Sequence, residues 1–184
     1  MEKRRAGLGP ERHEAGGRLV PLAPPINDIE QLKSHPALAR LLDWNAGAVQ
    51  AAKFDREELT VWVDKGFIRE VCAILRDDAE CPFNYLADLT CVDWFPSEPR
   101  FEVVYHLLSI SKKERIRLKA RLDGSSAAIE SVTSVWPAAN HYEREVFDLF
   151  GVRFTGHPNL TRIMMPDDWE GHPLRKDYPV EGYR

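Results

Sequence analysis

Four side chains in the last third of the chain have the types and spacing of a metal site. His141 and Glu145 are four residues apart in a segment of helical periodicity, and His157 and His172 occupy matching Gly-His-Pro frames. Imidazole and carboxylate groups are common ligands of zinc. The two frames lie in aperiodic chain, however, and nothing in the sequence brings the histidines together. Turns in which each histidine hydrogen-bonds the backbone are the simpler interpretation, and a stand-alone His/Asp metal-dependent enzyme is the alternative.

The number and spacing of the cysteines limit thiol chemistry. The chain has three, Cys72, Cys81 and Cys91, with no CxxC or CxxxC pair. Because an iron–sulfur cluster needs four thiolate or histidine ligands, we interpret them as reduced, partly buried thiols. The sequence also lacks a nucleophile elbow and a phosphate-binding glycine-rich loop. We therefore predict no catalytic residue, and no metal or cofactor bound by this chain.

The segment that carries the first histidine is predicted to be a helix. Asn140 is the expected N-cap, Glu143 completes the spacing of a capping box, and Gly151 stands where a left-handed C-cap is favoured. One face is apolar and the other mostly charged, as in a helix that covers a core. The apolar face comprises Tyr142, Val146, Leu149 and Phe150, and the charged face comprises Glu143, Arg144, Glu145 and Asp148. One short strand is predicted at residues 152–154.

Residues 156–184 form a segment rich in proline and glycine that we call the tail. Its prolines exclude a long helix or a central strand. It still carries more large apolar groups than a disordered segment does, at Leu160, Ile163, Met164, Met165, Trp169, Leu174, Tyr178 and Tyr183. These side chains need a surface. Either the tail wraps over another protein, with Trp169, Arg175 and Tyr178 as candidate hot spots, or it folds back over its own domain.

Residues 28–155 are predicted to form one folded domain. A helix is expected from residue 27 or 28, divided at Pro36, and a second helix at residues 67–77. Short connections between successive strands predict an antiparallel meander. The predicted strands are residues 59–63, 85–94, 100–110, 115–122 and 129–135. The fold class is therefore α+β, a mainly antiparallel sheet of about five strands with flanking helices, followed by an extended, proline-rich C-terminal tail.

Charge and hydropathy exclude some classes of function. The net charge is −4, no apolar run reaches the length of a membrane span, and no apolar signal core follows the N-terminus. We expect a cytoplasmic protein with a mobile N-terminal arm at residues 1–27. The strand at 115–122 places four cations on one face, which is typical of a protected edge strand. Because no aromatic residues are interleaved with them, we predict no nucleic-acid binding.

A long run of residues resembles one family. Glu143-Arg144-Glu145, Asp148 and Gly151, then Gly156-His157-Pro158, Leu160 and Arg162-Ile163, and finally residues 171–179 (GHPLRKDYP) resemble the C subunit of bacterial NADH:quinone oxidoreductase, respiratory complex I. Residues 88–93 and 131–137 are also similar. The resemblance implies the same α+β fold and a non-catalytic structural role in the peripheral arm of the complex. It implies docking on the D subunit, near the quinone site.

The resemblance also implies where the chemistry and the contacts lie. FMN, iron–sulfur clusters and quinone are expected in other subunits, and the chain is expected at the cytoplasmic side of the inner membrane, held there through the complex. A homologous subunit of a membrane-bound hydrogenase or of a ferredoxin:plastoquinone oxidoreductase is the nearest alternative. The candidate partner-docking residues are Glu143, Arg144, Asp148, Gly151, His157, Pro158, Arg162, Trp169, His172, Pro173, Arg175, Asp177 and Tyr178.

Overall fold

The computed structural model describes residues 23–182. Of the predicted arm at residues 1–27, residues 1–22 therefore lie outside the described residues, and so does Tyr183. The described part contains a five-stranded sheet, a two-stranded sheet and four α-helices. The strands are β1 Val49–Asp55, β2 Glu58–Val63, β3 Tyr85–Asp93, β4 Phe101–Ser109, β5 Glu114–Leu122, β6 Ala128–Glu130 and β7 Arg153–Thr155. The helices are α1 Ile29–Leu32, α2 Pro36–Asn45, α3 Ile68–Arg76 and α4 Ala139–Phe150.

The large sheet has the strand order β1-β2-β5-β4-β3 within the described residues. The pairs β3–β4 and β4–β5 are antiparallel, as the short connections predict. β2 and β5 pair in parallel, with Leu59 opposite Ile116. The long segment between these two strands brings β5 back alongside β2. The predicted α+β class with a mainly antiparallel sheet and flanking helices is confirmed.

One hydrophobic core joins the sheet to the helices. Alternate residues of β5 point into it, from Ile116 to Leu122, and they meet buried side chains of α2 and α3 such as Leu41 and Leu75. Each such leucine or isoleucine contributes about 1.5–3 kcal/mol by leaving water. No helix of the described residues is long and apolar enough to cross a membrane.

The first strand was not predicted, because the sheet was expected to begin at Leu59. β1 and β2 form a hairpin whose two turn residues, Arg56 and Glu57, have positive φ angles of 52° and 64°. Such a turn is normally marked by Asn-Gly or Asp-Gly, which adopt positive φ at low cost. An Arg-Glu pair gives no such signal. Pro36, by contrast, divides the first helical region as predicted, since it begins α2.

The cationic strand is not an edge strand, so that interpretation is wrong. β5 lies between β2 and β4, and three of its four cations pair with carboxylates of those neighbours. Glu102 of β4, 1% exposed, accepts hydrogen bonds from Lys119 and Arg121, and Arg117 pairs with Glu58 of β2. Most of the positive charge of β5 is thus paired within the sheet.

Three predictions for α4 and the segment before it are also wrong. The strand predicted at residues 129–135 is only β6, which ends at Glu130 and pairs in parallel with β7. The capping box is absent, because Ala138 is the N-cap of α4 and makes no side-chain hydrogen bond to the helix. Glu143 and Asp148, predicted on the charged outer face, are both fully buried. Gly151 does end the helix as predicted, with φ of 76°.

Candidate partner-docking surface

Asp148, on the last turn of α4, binds the tail through its carboxylate. One oxygen, Oδ2, accepts hydrogen bonds from the backbone N–H groups of Ile163, Met164 and Met165 at 3.0, 2.7 and 2.8 Å. The other, Oδ1, accepts a 2.6 Å hydrogen bond from Arg162. Burial alone would raise the pKa of this carboxyl, but these donors outweigh it and the pKa is lowered. A buried carboxylate with four donors is a strong anchor, because charge-assisted hydrogen bonds exceed neutral ones.

Two arginines hold the first half of the tail by its carbonyl groups. Arg162 donates to the carbonyls of Trp169 and Gly171 at 2.9 and 3.1 Å, in addition to Asp148. Arg144 of α4 donates to the carbonyls of Thr161 and Arg162. An aperiodic segment has no ladder to satisfy its backbone groups, so guanidinium groups replace the missing donors.

The second Gly-His-Pro frame closes the C-terminal end of α4. His172 contacts the carbonyl of Asp148 through Nδ1 at 2.8 Å, Leu174 N–H donates to the carbonyl of Leu149, and Arg175 Nε donates to the carbonyl of Phe150. These carbonyls have no partner within the helix. Gly151 is needed here for two reasons: its positive φ, and the close approach of Arg175 and His172 to the place a Cβ would occupy.

A buried ion cluster joins the end of the tail to the sheet. Arg100, 9% exposed, forms paired hydrogen bonds to Asp93 and to Asp177, and Lys176 N–H donates to Asp93 Oδ2. Burial opposes ionisation of Asp93, but the hydrogen bonds from Arg100 and from backbone N–H groups outweigh it and lower its pKa to about 2. The hydrogen bonds to Asp177 and then to Asp93 raise the pKa of the Arg100 guanidinium. The cluster spans residues far apart in the sequence, so it forms only when the tail is in place.

Among the predicted docking residues, Glu143 is the one whose side chain contacts only the interior of its own domain. Its carboxyl accepts hydrogen bonds from Ser131 Oγ at 2.6 Å and from Val132 N–H at 2.7 Å, and it makes no ion pair within residues 23–182. Burial raises its pKa to about 7, although both hydrogen bonds oppose the shift. Glu143 therefore holds the loop before α4 against the helix and offers no group to a partner.

The histidines of the two frames do not converge on a metal. His157 contacts the carbonyl of Asn140 through Nε2 and accepts from Asn159 N–H through Nδ1, as expected for a neutral ring. Burial lowers the pKa of both His157 and His172. The carbonyls that they contact, Asn140 and Asp148, are eight residues apart on one helix, roughly 12 Å along its axis. In the part of the chain that the structure describes, no group of three His, Cys, Asp or Glu residues could hold a metal ion.

The outward side of the tail carries several large apolar side chains among polar ones. Leu160 packs against the core, and most of the other inward contacts are made by backbone groups and charged side chains, whereas several large apolar side chains face the solvent. Met164 is 62% exposed and Leu174 is 52% exposed. The exposed set, which we call the docking face, comprises Ile163, Met164, Trp169, Leu174 and Val180. Large exposed apolar patches on a folded chain are typical of protein–protein contact sites.

The structure brings most of the predicted docking residues together around α4 and the tail. Those in the internal anchors are Glu143, Arg144, Asp148, Gly151, His157, Arg162, His172, Arg175 and Asp177. Pro158, Trp169, Pro173 and Tyr178 lie in the tail itself, where Trp169 and Pro158 are exposed. Asp93 and Arg100 also belong to the anchors. The sequence gives only a weak signal for Arg100, because it is a single cation between a proline-containing turn and an apolar strand.

Comparison with known proteins agrees with this geometry. Residues 61–184 match the family described as the 30 kDa subunit of the respiratory-chain NADH dehydrogenase. The C subunit of NADH-quinone oxidoreductase from Roseiflexus sp. (strain RS-1) is 54% identical over 125 residues, which is 68% of this chain and 72% of the relative. The C subunit from Citrifermentans bemidjiense is 48% identical over 150 residues, covering 82% and 92%.

Two solved structures share the fold. A trypsin-resistant fragment of Nqo5 aligns with a TM-score of 0.55 and 29% identity, over 67% of this chain and 99% of the fragment. A chain of the membrane-bound sulfane sulfur reductase, an archaeal respiratory membrane complex, aligns with a TM-score of 0.65 and 31% identity, over 78% and 84%. Fold, tail residues and relatives agree, and the chain belongs to the family of the 30 kDa subunit of respiratory-chain NADH dehydrogenase, the C subunit of NADH-quinone oxidoreductase.

Proposed function

We propose that this chain is a non-catalytic structural subunit in the peripheral arm of a proton-translocating NADH:quinone oxidoreductase. It docks on the D subunit through the outward side of its tail, at the cytoplasmic side of the membrane. FMN, the iron–sulfur clusters and the quinone site belong to other subunits of the complex. Its relatives are named as subunits, which supports a place in a multi-subunit assembly.

The observation that carries the proposal is the polarity of the tail. A segment that only covered its own domain would turn its apolar side chains inward, because burial of apolar surface drives folding. Here Asp148, Arg162 and His172 hold the tail by polar contacts, and Met164 and Leu174 remain exposed. The tail is therefore fixed in shape before it meets a partner, which lowers the entropy that binding must overcome.

The titratable groups of the site support a structural role. Catalytic acids and bases need a free path to a substrate and a pKa near the working pH. Asp148 and Asp93 each accept several hydrogen bonds and have lowered pKa values, and His157 and His172 contact backbone carbonyls. Glu143 has a pKa near neutrality but is fully buried between α4 and the preceding loop. Each of these groups is occupied in holding the chain together.

A subunit of a related respiratory complex is the second candidate. The alignment with a chain of the archaeal sulfane sulfur reductase complex shows that this fold serves in an assembly with another name. The relatives named for NADH-quinone oxidoreductase are more similar, at 48% and 54% identity against 31%. Sequence similarity thus favours NADH as the electron donor of the assembly.

The proposal is tested by purification from native membranes. The full chain, tagged at its N-terminus, is isolated after mild solubilisation, and NADH:quinone reductase activity is measured with and without an inhibitor of the quinone site. We expect a large complex with inhibitor-sensitive activity. Recovery of the tagged chain alone, under conditions in which the activity stays in the membrane extract, would contradict the proposal.

A matched pair of variants tests the docking face. Met164→Lys with Leu174→Lys places two charges on it, and Ile110→Lys with Tyr85→Lys places two charges on exposed apolar positions at the other end of the sheet. All four side chains are 48% exposed or more, so both double variants should fold. We expect only the tail pair to lose incorporation into the complex. Equal incorporation of the two pairs would contradict docking through the tail.

A further inference from the structure

The last part of the tail forms a groove on the docking face. Two stretches, residues 168–173 and 178–182, enclose an open groove of about 770 Å³. Trp169 lies on one wall and Tyr178 on the other, and the Tyr178 hydroxyl donates to the carbonyl of Glu170 between them. The groove is thus lined by two aromatic side chains and closed at one point by a hydrogen bond.

The walls of the groove are held from below by the anchors. Arg162 holds the carbonyls of Trp169 and Gly171 while it pairs with Asp148, which fixes the first wall to α4. Asp177 pairs with Arg100, which fixes the start of the second wall to the sheet. Pro173 and Pro179 also line the groove, and each removes backbone freedom. A groove prepared in this way loses little entropy when a ligand enters.

The charged side chains among the described residues of the groove are all acidic. Asp168, Glu170 and Glu181 line it, and none of the described residues that line it is a lysine, arginine or histidine. Within residues 23–182, none of these three carboxylates takes part in an ion pair, whereas most acidic side chains of the sheet do. Three carboxylates near two aromatic rings produce a negative potential over the ring faces. This arrangement attracts a cation, because the face of tryptophan or tyrosine is itself electron-rich.

We propose that this groove binds an arginine- or lysine-bearing segment of the partner subunit. The inference rests on the proposed function, since it names the chemistry of the partner at the docking face. The cationic group lies over the ring of Trp169 and near Asp168, Glu170 and Glu181, while the aliphatic part of its side chain packs against Pro173 and Val180. Charge and shape here favour a basic segment over a purely apolar one.

The test removes the three negative charges of the groove. This variant is compared with a control that loses three negative charges elsewhere on the surface. The groove variant carries Asp168→Asn, Glu170→Gln and Glu181→Gln. The control carries Asp43→Asn, Glu57→Gln and Glu80→Gln, three exposed carboxylates that make no ion pair within the described residues. Each full-length chain is tagged and expressed with the remaining subunits, and its dissociation from the purified complex is measured between low and high salt. Circular dichroism and urea unfolding verify that both variants fold.

We expect the groove variant to dissociate about tenfold faster at low salt and to lose the salt dependence that wild type shows. The control should match wild type at every salt concentration. If wild type joins the complex and the groove variant dissociates as slowly as the control, the groove proposal is overturned while the proposed function stands. If wild type itself fails to join the complex, the proposed function is wrong as well. A Trp169→Phe variant should retain binding better than Trp169→Leu, because only phenylalanine keeps a ring face.

Discussion

Replacing Glu143 by glutamine should make the protein more stable at neutral and alkaline pH. The carboxyl of Glu143 is fully buried, makes no ion pair within residues 23–182, and has its pKa raised by burial from 4.5 to about 7. The folded state therefore binds this proton more tightly than the unfolded chain does. Stability from this group is complete below pH 4.5 and is lost as pH rises through about 7.

The size of the stability difference between wild type and variant follows from the pKa shift of Glu143. A difference of roughly 2.5 pKa units corresponds to about 3 kcal/mol. Glutamine has the shape of the protonated acid, and its amide oxygen can accept from Val132 N–H while its amide nitrogen donates to Ser131 Oγ. The variant thus keeps both hydrogen bonds and never bears the buried charge. The groups that face Glu143 from the packed elements, Cys72 on α3 and Tyr105 on β4, are uncharged at neutral pH because burial raises their pKa values too.

The assay is urea unfolding of the purified chain from pH 5 to pH 8.5, followed by circular dichroism. Wild type and Glu143→Gln should differ little at pH 5, and the variant should gain up to about 3 kcal/mol by pH 8, or about 6–12 °C in melting temperature. Glu145→Gln is the matched control, because Glu145 is exposed on the same helix. Stability curves that stay parallel across the range would refute the argument. So would a gain of equal size in the control.

Five further substitutions, arranged in three experiments, test the anchors of the tail by urea unfolding. Gly151→Ala should lower the free energy of unfolding by about 1–3 kcal/mol more than Gly156→Ala does, since both glycines have positive φ but only Gly151 lacks room for a Cβ. Equal losses of stability in the two variants would show that backbone strain alone decides. Asp148→Asn should cost about 2–4 kcal/mol and expose the tail to trypsin, because it removes a buried ion-pair partner; unchanged cleavage would contradict the anchor. Asp93→Asn should cost several times more than Asp177→Asn, since Asp93 is buried and Asp177 is 42% exposed; the reverse order would contradict the account of the cluster.

Patterns of short range were sufficient to predict much of the fold. The alternation of cationic and apolar residues predicted the buried face of β5, and the short connections predicted the antiparallel meander. Gly151 marked the end of α4. The parallel pairing of β2 with β5 depends on a contact between residues that are 57 positions apart, and no local pattern encodes it. The hairpin at Arg56 and Glu57 was missed for another reason, since its turn uses residues that rarely adopt positive φ.

The candidate site was only half predictable, because hydrophobic periodicity assigns every carboxylate to the solvent. Glu143 and Asp148 are buried because their donors come from elsewhere, from Ser131 and Val132 before the helix and from residues 163–165 after it. The resemblance identified these positions as a cluster of interest but could not distinguish internal anchors from outward contacts. That distinction required the position of each hydrogen-bond partner.

The inward polarity of the tail follows from its backbone. Residues 156–182 contain β-incompatible prolines and form no helix, so their N–H and C=O groups have no regular partners. The domain supplies those partners through Asp148, Arg144 and Arg100, and such groups must lie on the inner side, where water is excluded. Although Leu160 packs against the core, polar contacts occupy much of the inner side, and Met164 and Leu174 are exposed. An aperiodic segment held in this way presents exposed apolar side chains, a kind of surface that is typical of protein–protein contact sites.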